Sequence, residues 1–374
     1  MAKQDPFKVA KDLLSKHGEN IVRSGDAMVS EKHQLVPVSP LIDVNIGGGI
    51  PEGSIVLLAG DEKCGKTVTA LQICKNAQNM GKNVYYLNIE ARLKPRDLEG
   101  IEGLDLEKIN VVSSYREDDS EGNLVQSKIL SGEEWLSFAE NFIHNDPGCV
   151  VVLDSISQLV TERQLQADIG DVTGDGGFRL LAQFIGRIAP VVVVNKCIVI
   201  GIQHMIANTR ARPGQKTKSR SGGRKIRYAV DVDLECTYIT PWKASSADDA
   251  EQIGQKINWI TRSTARPIPP GRKIESLLRY GVGIDVVGEL ISLGKSLGFI
   301  KVSGSWYVLE YMQNHLDVLG VDEWSVDKKG KLTPDMSKLV QTQGEHKAYD
   351  LLKANPKYVD CLEKDIYDML GISE

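Results

Sequence analysis

The sequence predicts an α/β fold on a mostly parallel sheet, and three observations carry the prediction. First, short, nearly all-apolar runs (Ile55–Ala59, Val84–Ile89, Val150–Leu153, Ile198–Ile202) recur between stretches of helical periodicity, and Val232–Ile239 adds another run of strand formers. Strands apolar on both faces belong to parallel sheets covered by helices on each side. Second, the run at 55–59 opens into Gly60, Asp61, Glu62, Lys63, Cys64, Gly65, Lys66 and Thr67, a full match to G-x-x-x-x-G-K-[ST]. A helix-patterned stretch with Val68, Leu71 and Cys74 leaves the motif and stops near Gly81. Third, the other runs each close on a polar residue: Glu90, Asp154 and Gln203. Ligands of such sheets bind beyond the C-terminal ends of the strands. Four strand ends therefore aim chemistry at one edge.

Around that core the chain divides into three parts. Residues 7–23 (Phe7, Val9, Ala10, Leu13, Leu14) form a short amphipathic helix, too small for a core of its own, so 1–35 is expected to be an oligomerisation module. Gly47, Gly48 and Gly49, then Pro51 and Gly53, punctuate the entry to the central region 36–283. Composition shifts after about residue 284. There the pattern gives a helix (Val286, Val287, Leu290, Ile291, Leu293) and a strand pair around Gly304. Asn355 caps a last helix whose Pro356 takes the first position, with Val359, Leu362, Ile366 and Met369 on one face and Gly371 after its end. Residues 284–374 are read as a small α/β domain.

With 374 residues, 41% hydrophobic and 25% charged, the chain has the composition of a globular protein and not of a disordered one. The stretch Val191–Ile202 is interrupted by Asn195 and Lys196 and is too short to span a bilayer; two adjacent buried elements explain it. No apolar signal segment opens the sequence, and no membrane role is expected. The six cysteines are scattered without a C-x-x-C pair. They read as reduced thiols of a cytoplasmic protein, not as a metal site or disulfide framework.

The motif carries the first chemistry. Its backbone N–H groups converge on phosphate oxygens at a helix N-terminus, where the partial positive charge favours an anion. Lys66 reaches the β- and γ-phosphates of a nucleoside triphosphate, and the Thr67 hydroxyl binds Mg²⁺. Asp154, ending an apolar strand about ninety residues on, supplies the second Mg²⁺ contact. Glu90 is placed to orient and deprotonate the water that attacks the γ-phosphate, and Gln203 to sense that phosphate.

Residues 208–228 hold eight Lys or Arg and no acidic residue, in a chain whose net charge is −5. The run is too rich in Gly, Ser and Pro to read as a helix. A flexible basic loop in an acidic protein points to a nucleic-acid partner, contacted through the backbone because aromatics are few. Arg210, Arg212, Lys216, Lys218, Arg220, Arg224, Lys225 and Arg227 are its candidate contacts, with Gly222 and Gly223 allowing close approach. A second Gly-rich loop spans 162–177, with Arg179 on the helix that follows.

These residues together resemble the RecA family of homologous-recombination ATPases over nearly the whole chain. Pro51–Val56 with the phosphate loop is similar to the family's core entry, Ile89-Glu90-Ala91 to its catalytic-glutamate strand end, and Leu153-Asp154-Ser155 to its Mg²⁺ motif. Ile169-Gly170-Asp171 lies where the family has its first DNA-binding loop, and Gln203 with the run to Gly223 resembles the second. Tyr280–Ile284, Gly288–Gly294 and Gly304–Tyr307 resemble the entry to the bacterial C-terminal domain, the most specific part of the match.

The resemblance implies a RecA-like P-loop NTPase core and a helical filament on single-stranded DNA. ATP lies at subunit interfaces, and the filament pairs its strand with homologous double-stranded DNA, served by loader or single-strand-binding proteins. Arg262 and Arg266 fall where the family places lysines that reach the neighbour's γ-phosphate. Three departures stand out. The stretch 92–97 lacks the aromatic that stacks on adenine, Ile169 or Val172 must substitute for the apolar wedge of the first loop, and the sequence ends without the acidic tail of many bacterial members. Such divergence suits a phage-encoded or distant member. A ring-forming motor or branch-migration ATPase of the same fold is the alternative, and a non-hydrolysing DNA-binding module the third reading.

Overall fold

The computed structural model describes residues 15, 25–118, 124–168, 176–207, 218–220, 224–243, 249–319, 324–326, 332–334 and 341–372. The chain forms two compact units, Met1–Gln34 and Leu35–Glu374. In the first, Gly25–Val29 is a helix; apart from Ser15, the helix expected over 7–23 lies outside the described residues.

In the second unit, β1 (Leu35–Val36) and β2 (Ile50–Pro51) make a small antiparallel ribbon. The three glycines before β2 all have positive φ, and a Cβ on Gly49 would lie 2.8 Å from the Val36 carbonyl oxygen. The central sheet follows: β3 (Ile55–Gly60), β4 (Val84–Asn88) and β5 (Ile109–Val112). A side hairpin, β6 (Tyr115–Asp118) and β7 (Leu124–Lys128), stands apart. The sheet then takes β8 (Val150–Asp154), β9 (Ile198–Ala207), β10 (Lys218–Arg220), β11 (Val232–Lys243), β12 (Gln252–Ser263), β13 (Lys273–Arg279) and β14 (Gly283–Ile284). Its order is β14-β13-β12-β11-β3-β9-β8-β4-β5, with β10 paired to β9. From β11 to β5 every pairing is parallel; β12, β13 and β14 extend the sheet antiparallel.

The strands are apolar throughout because alternate side chains feed two cores. Val56, Leu58, Val150, Val152, Ile198 and Ile200 pack with Leu71, Ile73 and Cys74 of the helix Lys66–Asn79. Ile55, Leu57, Val151, Leu153 and Val199 pack on the opposite face. There they meet Trp135, Leu136 and Ile143 of the helix Gly132–Asn145, and Leu181, Phe184 and Ile188 of the helix Gly176–Val194. The latter helix is long and apolar enough to cross a membrane, yet it serves this core. The apolar run 191–202 is indeed two elements, since this helix ends at Val194 and β9 begins at Ile198.

The helix Gly132–Asn145 starts at a reciprocal cap. Ser131 Oγ accepts from the Glu134 N–H at 3.3 Å, while Glu134 Oε2 accepts from the Ser131 N–H at 2.9 Å. Ser131→Ala is expected to lower stability by about 1 kcal/mol. A urea midpoint shifted at unchanged slope would show it.

A third core joins the helix Val286–Leu297 to β15 (Ile300–Ser303), β16 (Trp306–Leu309) and the helices Glu345–Ala354 and Pro356–Leu370. Two further short strands, β17 (Trp324–Val326) and β18 (Leu332–Pro334), pair with each other, and β19 (Gln341–Gln343) pairs with β16. Glu289, fully buried, ties this part to the rest: its carboxylate accepts from the Leu41 and Leu277 N–H groups, each at 3.0 Å, and from the Ser276 hydroxyl. Burial raises its pKa against those hydrogen bonds.

Several sequence expectations change in detail. β9 runs to Ala207, so Gln203 lies inside a strand and not at its end. β4 stops at Asn88, which puts Glu90 in the following turn. Residues 162–166 and 224–229 are helical, although both lie in stretches read as loop; Ile226 anchors the second by entering the core. Asn355 occupies the cap position, but its side chain turns back to donate to the Leu351 carbonyl at 2.8 Å. On the last helix Leu362 and Ile366 are buried while Met369 is exposed.

Candidate functional site

β3 delivers the chain to Gly60, and the loop 61–65 returns it into the helix beginning at Lys66. Gly65 takes φ +83°, and a Cβ there would lie 2.2 Å from Ile257 Cδ1, so the second motif glycine answers both a conformational and a steric demand. Lys66 is buried and folds back on the loop, donating to the Gly60 carbonyl at 3.1 Å and to the Asp61 carbonyl. The loop forms one wall of a cavity of about 630 Å³ that also takes in Glu90, Asp154, His204 and Tyr280.

Thr67 and Asp154 meet directly, the Thr67 hydroxyl donating to Asp154 Oδ2 at 3.1 Å. The Tyr86 hydroxyl donates to the same oxygen. Burial raises the Asp154 pKa, offset by these two hydrogen bonds. One carboxylate and one hydroxyl, both hard oxygen ligands, fit Mg²⁺, which in phosphate sites takes one or two protein oxygens and completes its shell with water and phosphate.

Glu90 is held from three sides. Its backbone N–H donates to the Asp154 carbonyl at 2.9 Å, fixing the turn after β4 to the end of β8. His204 Nε2 lies 2.8 Å from Glu90 Oε2, and an Arg92 guanidinium nitrogen 3.1 Å from Oε1.

His204 was missed by the sequence reading, which chose its neighbour Gln203. Side chains alternate along a strand: His204 shares the face of Ile200 and Ile202, which carries the phosphate-loop helix, whereas Gln203 follows Val199 onto the other. Gln203 is buried and does not line the cavity, while His204 does. Residue parity along the run puts the two on opposite faces, but with apolar residues at both parities it does not say which face meets the phosphate loop. Among the described residues the single aromatic on the cavity wall is Tyr280; the stretch 92–97 contributes Arg92, Leu93, Arg96 and Asp97. Within the loop, Cys64 contacts both the Cys236 thiol and Lys66, at 3.7 Å from the ammonium. The hydrogen bond from Cys236, with help from Lys66, overcomes burial and draws its thiol below the ordinary cysteine value.

The basic candidates separate into distinct groups. Ile169, Gly170, Val172, Arg210, Arg212, Lys216, Gly222 and Gly223 lie outside the described residues. Arg179 and Arg227 are exposed on their helices; Lys218 sits on β10, paired with Ala207, and Arg224 and Lys225 begin the helix Arg224–Ala229.

Arg220, expected as a DNA contact, is turned inward onto two carboxylates. Its side chain is only 8% exposed, donating through Nε to Glu235 Oε2 at 2.9 Å and through Nη1 to Asp233. Arg262 joins the same cluster, bonding Glu235 Oε1 at 2.7 Å. Burial pushes Glu235 up, but hydrogen bonds from Arg262 and Arg220 outweigh it and hold the carboxyl below its usual range. For Asp233 burial prevails and its pKa is raised. Arg266 stands apart from this network, exposed and packed over Gly47.

A strand–loop–helix of this form, set in a parallel sheet with an acidic residue ending another strand, defines the P-loop nucleotide-binding class. Residues 10–285 match the RecA N-terminal domain family. The chain belongs to that family. It is similar to Protein RecA of Streptomyces coelicolor, 26% identical over 354 residues that cover 94% of this chain and 81% of the relative. Protein RecA of Saccharopolyspora erythraea is also 26% identical, over 94% of this chain and 88% of its own, and that of Acidothermus cellulolyticus 27%, over 95% and 90%.

Proposed function

We propose that this protein is a DNA-dependent ATPase that assembles into helical filaments on single-stranded DNA and pairs that strand with a homologous duplex. The observation that carries the reading is β9. It runs from the cavity at His204 to Ala207, where β10 pairs with it antiparallel from Lys218, so the chain positions on either side of the basic segment 208–217 meet close to the nucleotide site. A change at the γ-phosphate position has three residues to travel before it reaches the base of that segment.

In this reading the loop N–H groups and Lys66 bind the triphosphate, and Thr67 and Asp154 hold Mg²⁺. When bound, Mg²⁺ neutralises charge on the β- and γ-phosphate oxygens. Glu90 orients the attacking water and takes its proton, His204 faces the γ-phosphate in place of Gln203, and Tyr280 offers the base an apolar face. Arg266 is free to reach a neighbouring subunit, whereas Arg262 must first leave Glu235. Residues 1–35 serve assembly, and 284–374, supported by their own core, form the C-terminal domain.

Negative-stain imaging with single-stranded DNA and a slowly hydrolysed ATP analogue tests this directly: filaments support it, and closed rings favour the motor alternative. A salt titration adds a number. Replacing Arg210, Arg212 and Lys216 by Ala should flatten the log–log slope of oligonucleotide binding by about 2, at roughly 0.7 per phosphate contact. An unchanged slope would reduce the segment to a solvated surface.

A further inference from the structure

Cys64 lies inside the phosphate loop with its thiol against that of Cys236 on β11. The sheet register makes this contact. Ala59 pairs with Glu235, which brings Gly60 beside Cys236, and Cys64 folds back over Gly60. The packing is close: a Cβ on Gly60 would lie 2.6 Å from Cys64 Sγ and 2.9 Å from Cys236 Cβ. Both cysteines are buried, but Cys64 lines the nucleotide cavity, so a small solute entering it meets this sulfur first. Lys66, 3.7 Å away, favours the thiolate, the reactive form of the group.

We propose that Cys64 and Cys236 are an oxidisable dithiol at the base of the phosphate loop, which hydrogen peroxide converts to a disulfide that disables nucleotide binding. The steps balance. The Cys64 thiolate attacks peroxide; the O–O bond breaks, an S–O bond forms, and the departing hydroxide takes up a proton as water. The Cys236 sulfur then attacks the Cys64 sulfenic acid; the S–S bond forms, the S–O bond breaks, and the second water carries away the thiol proton. Two electrons pass from the dithiol to one peroxide. Drawing Cys64 onto β11 pulls the loop between Gly60 and Gly65 out of the arrangement in which its N–H groups converge.

Cys149 and Cys197 provide an internal comparison. Their sulfurs are 3.7 Å apart in the second core, and neither lines the cavity. Oxidation there leaves the phosphate loop untouched. The consequence for binding rests on reading the loop as a triphosphate site; the disulfide itself does not.

The full chain is treated with hydrogen peroxide, with and without Mg²⁺ and ATP, then alkylated and mapped by mass spectrometry, and binding of a fluorescent ATP analogue is measured alongside. The expected result is a 64–236 cross-link, slowed by bound nucleotide, with affinity weakened at least about tenfold and restored by dithiothreitol. Cys236→Ala should bind nucleotide normally before treatment, and Cys64 should then stop at a sulfenic acid trapped by dimedone. No 64–236 link at doses that oxidise other cysteines would overturn the proposal, as would a link that leaves nucleotide affinity unchanged. Reduced protein that binds no nucleotide would instead sink the triphosphate reading, with the cross-link still decided by the map.

Discussion

Glu90→Gln is expected to bind nucleotide as the parent does and to lose ATP hydrolysis by roughly 10²–10⁴-fold, the usual contribution of a general base. The substitution keeps the side-chain shape and removes the charge. The backbone N–H of residue 90 still donates to the Asp154 carbonyl, so the turn stays fixed. Thr67, Lys66 and Asp154 are untouched, which preserves the groups assigned to phosphate and Mg²⁺. Both carboxylate oxygens are engaged, one by His204 and one by Arg92. One must exchange its partner for water before it can accept a proton. Single-turnover hydrolysis on saturating single-stranded DNA measures the loss, and equilibrium binding of a labelled nucleotide provides the control. Hydrolysis near the parent rate would remove Glu90 from the role of base and make it a structural partner of His204.

Much of the architecture was legible because the strands announce themselves. An apolar run that satisfies both faces has few homes other than a helix-covered parallel sheet, and the phosphate-loop match fixes which end of that sheet carries chemistry. Lys66, Thr67, Glu90 and Asp154 all line one cavity as their positions beyond the strands required. What the sequence hid was side-chain direction. Gln203 and His204 are neighbours of similar polarity, and only the pleat, anchored by Ile200 and Ile202, assigns them to opposite faces. Tyr280 went unread as a site residue for another reason: it lies just past β13, whose antiparallel pairing with β12 brings it to the cavity, and no strand was read over 273–279. The charge of residues 208–228 pointed to a polyanion, but charge alone does not separate an arginine facing solvent from one facing Asp233 and Glu235.

That distinction sets the second large effect. Arg220→Ala is expected to destabilise the fold by about 3–5 kcal/mol, the cost of leaving buried charges without their partner. Asp233 and Glu235 are 8% and 14% exposed at the side chain and stand two positions apart on the same strand, so without the guanidinium they face each other's charge in a poorly hydrated place. Arg262 cannot replace it. It already bonds Glu235, is 35% exposed, and forms no hydrogen bond with Asp233 among the described residues. β10 holds its place against β9 beside this cluster, so the base of the basic segment should loosen first, with hydrogen exchange rising at 205–207 before global unfolding. The control is Arg210→Ala, which should leave stability within about 0.5 kcal/mol if it is a surface position and act on the salt dependence of DNA binding alone. A variant in which Arg220→Ala keeps parental stability while lowering the salt slope by about 0.7 would reverse the assignment, making Arg220 a phosphate contact after all and the carboxylates around it its resting counter-ions.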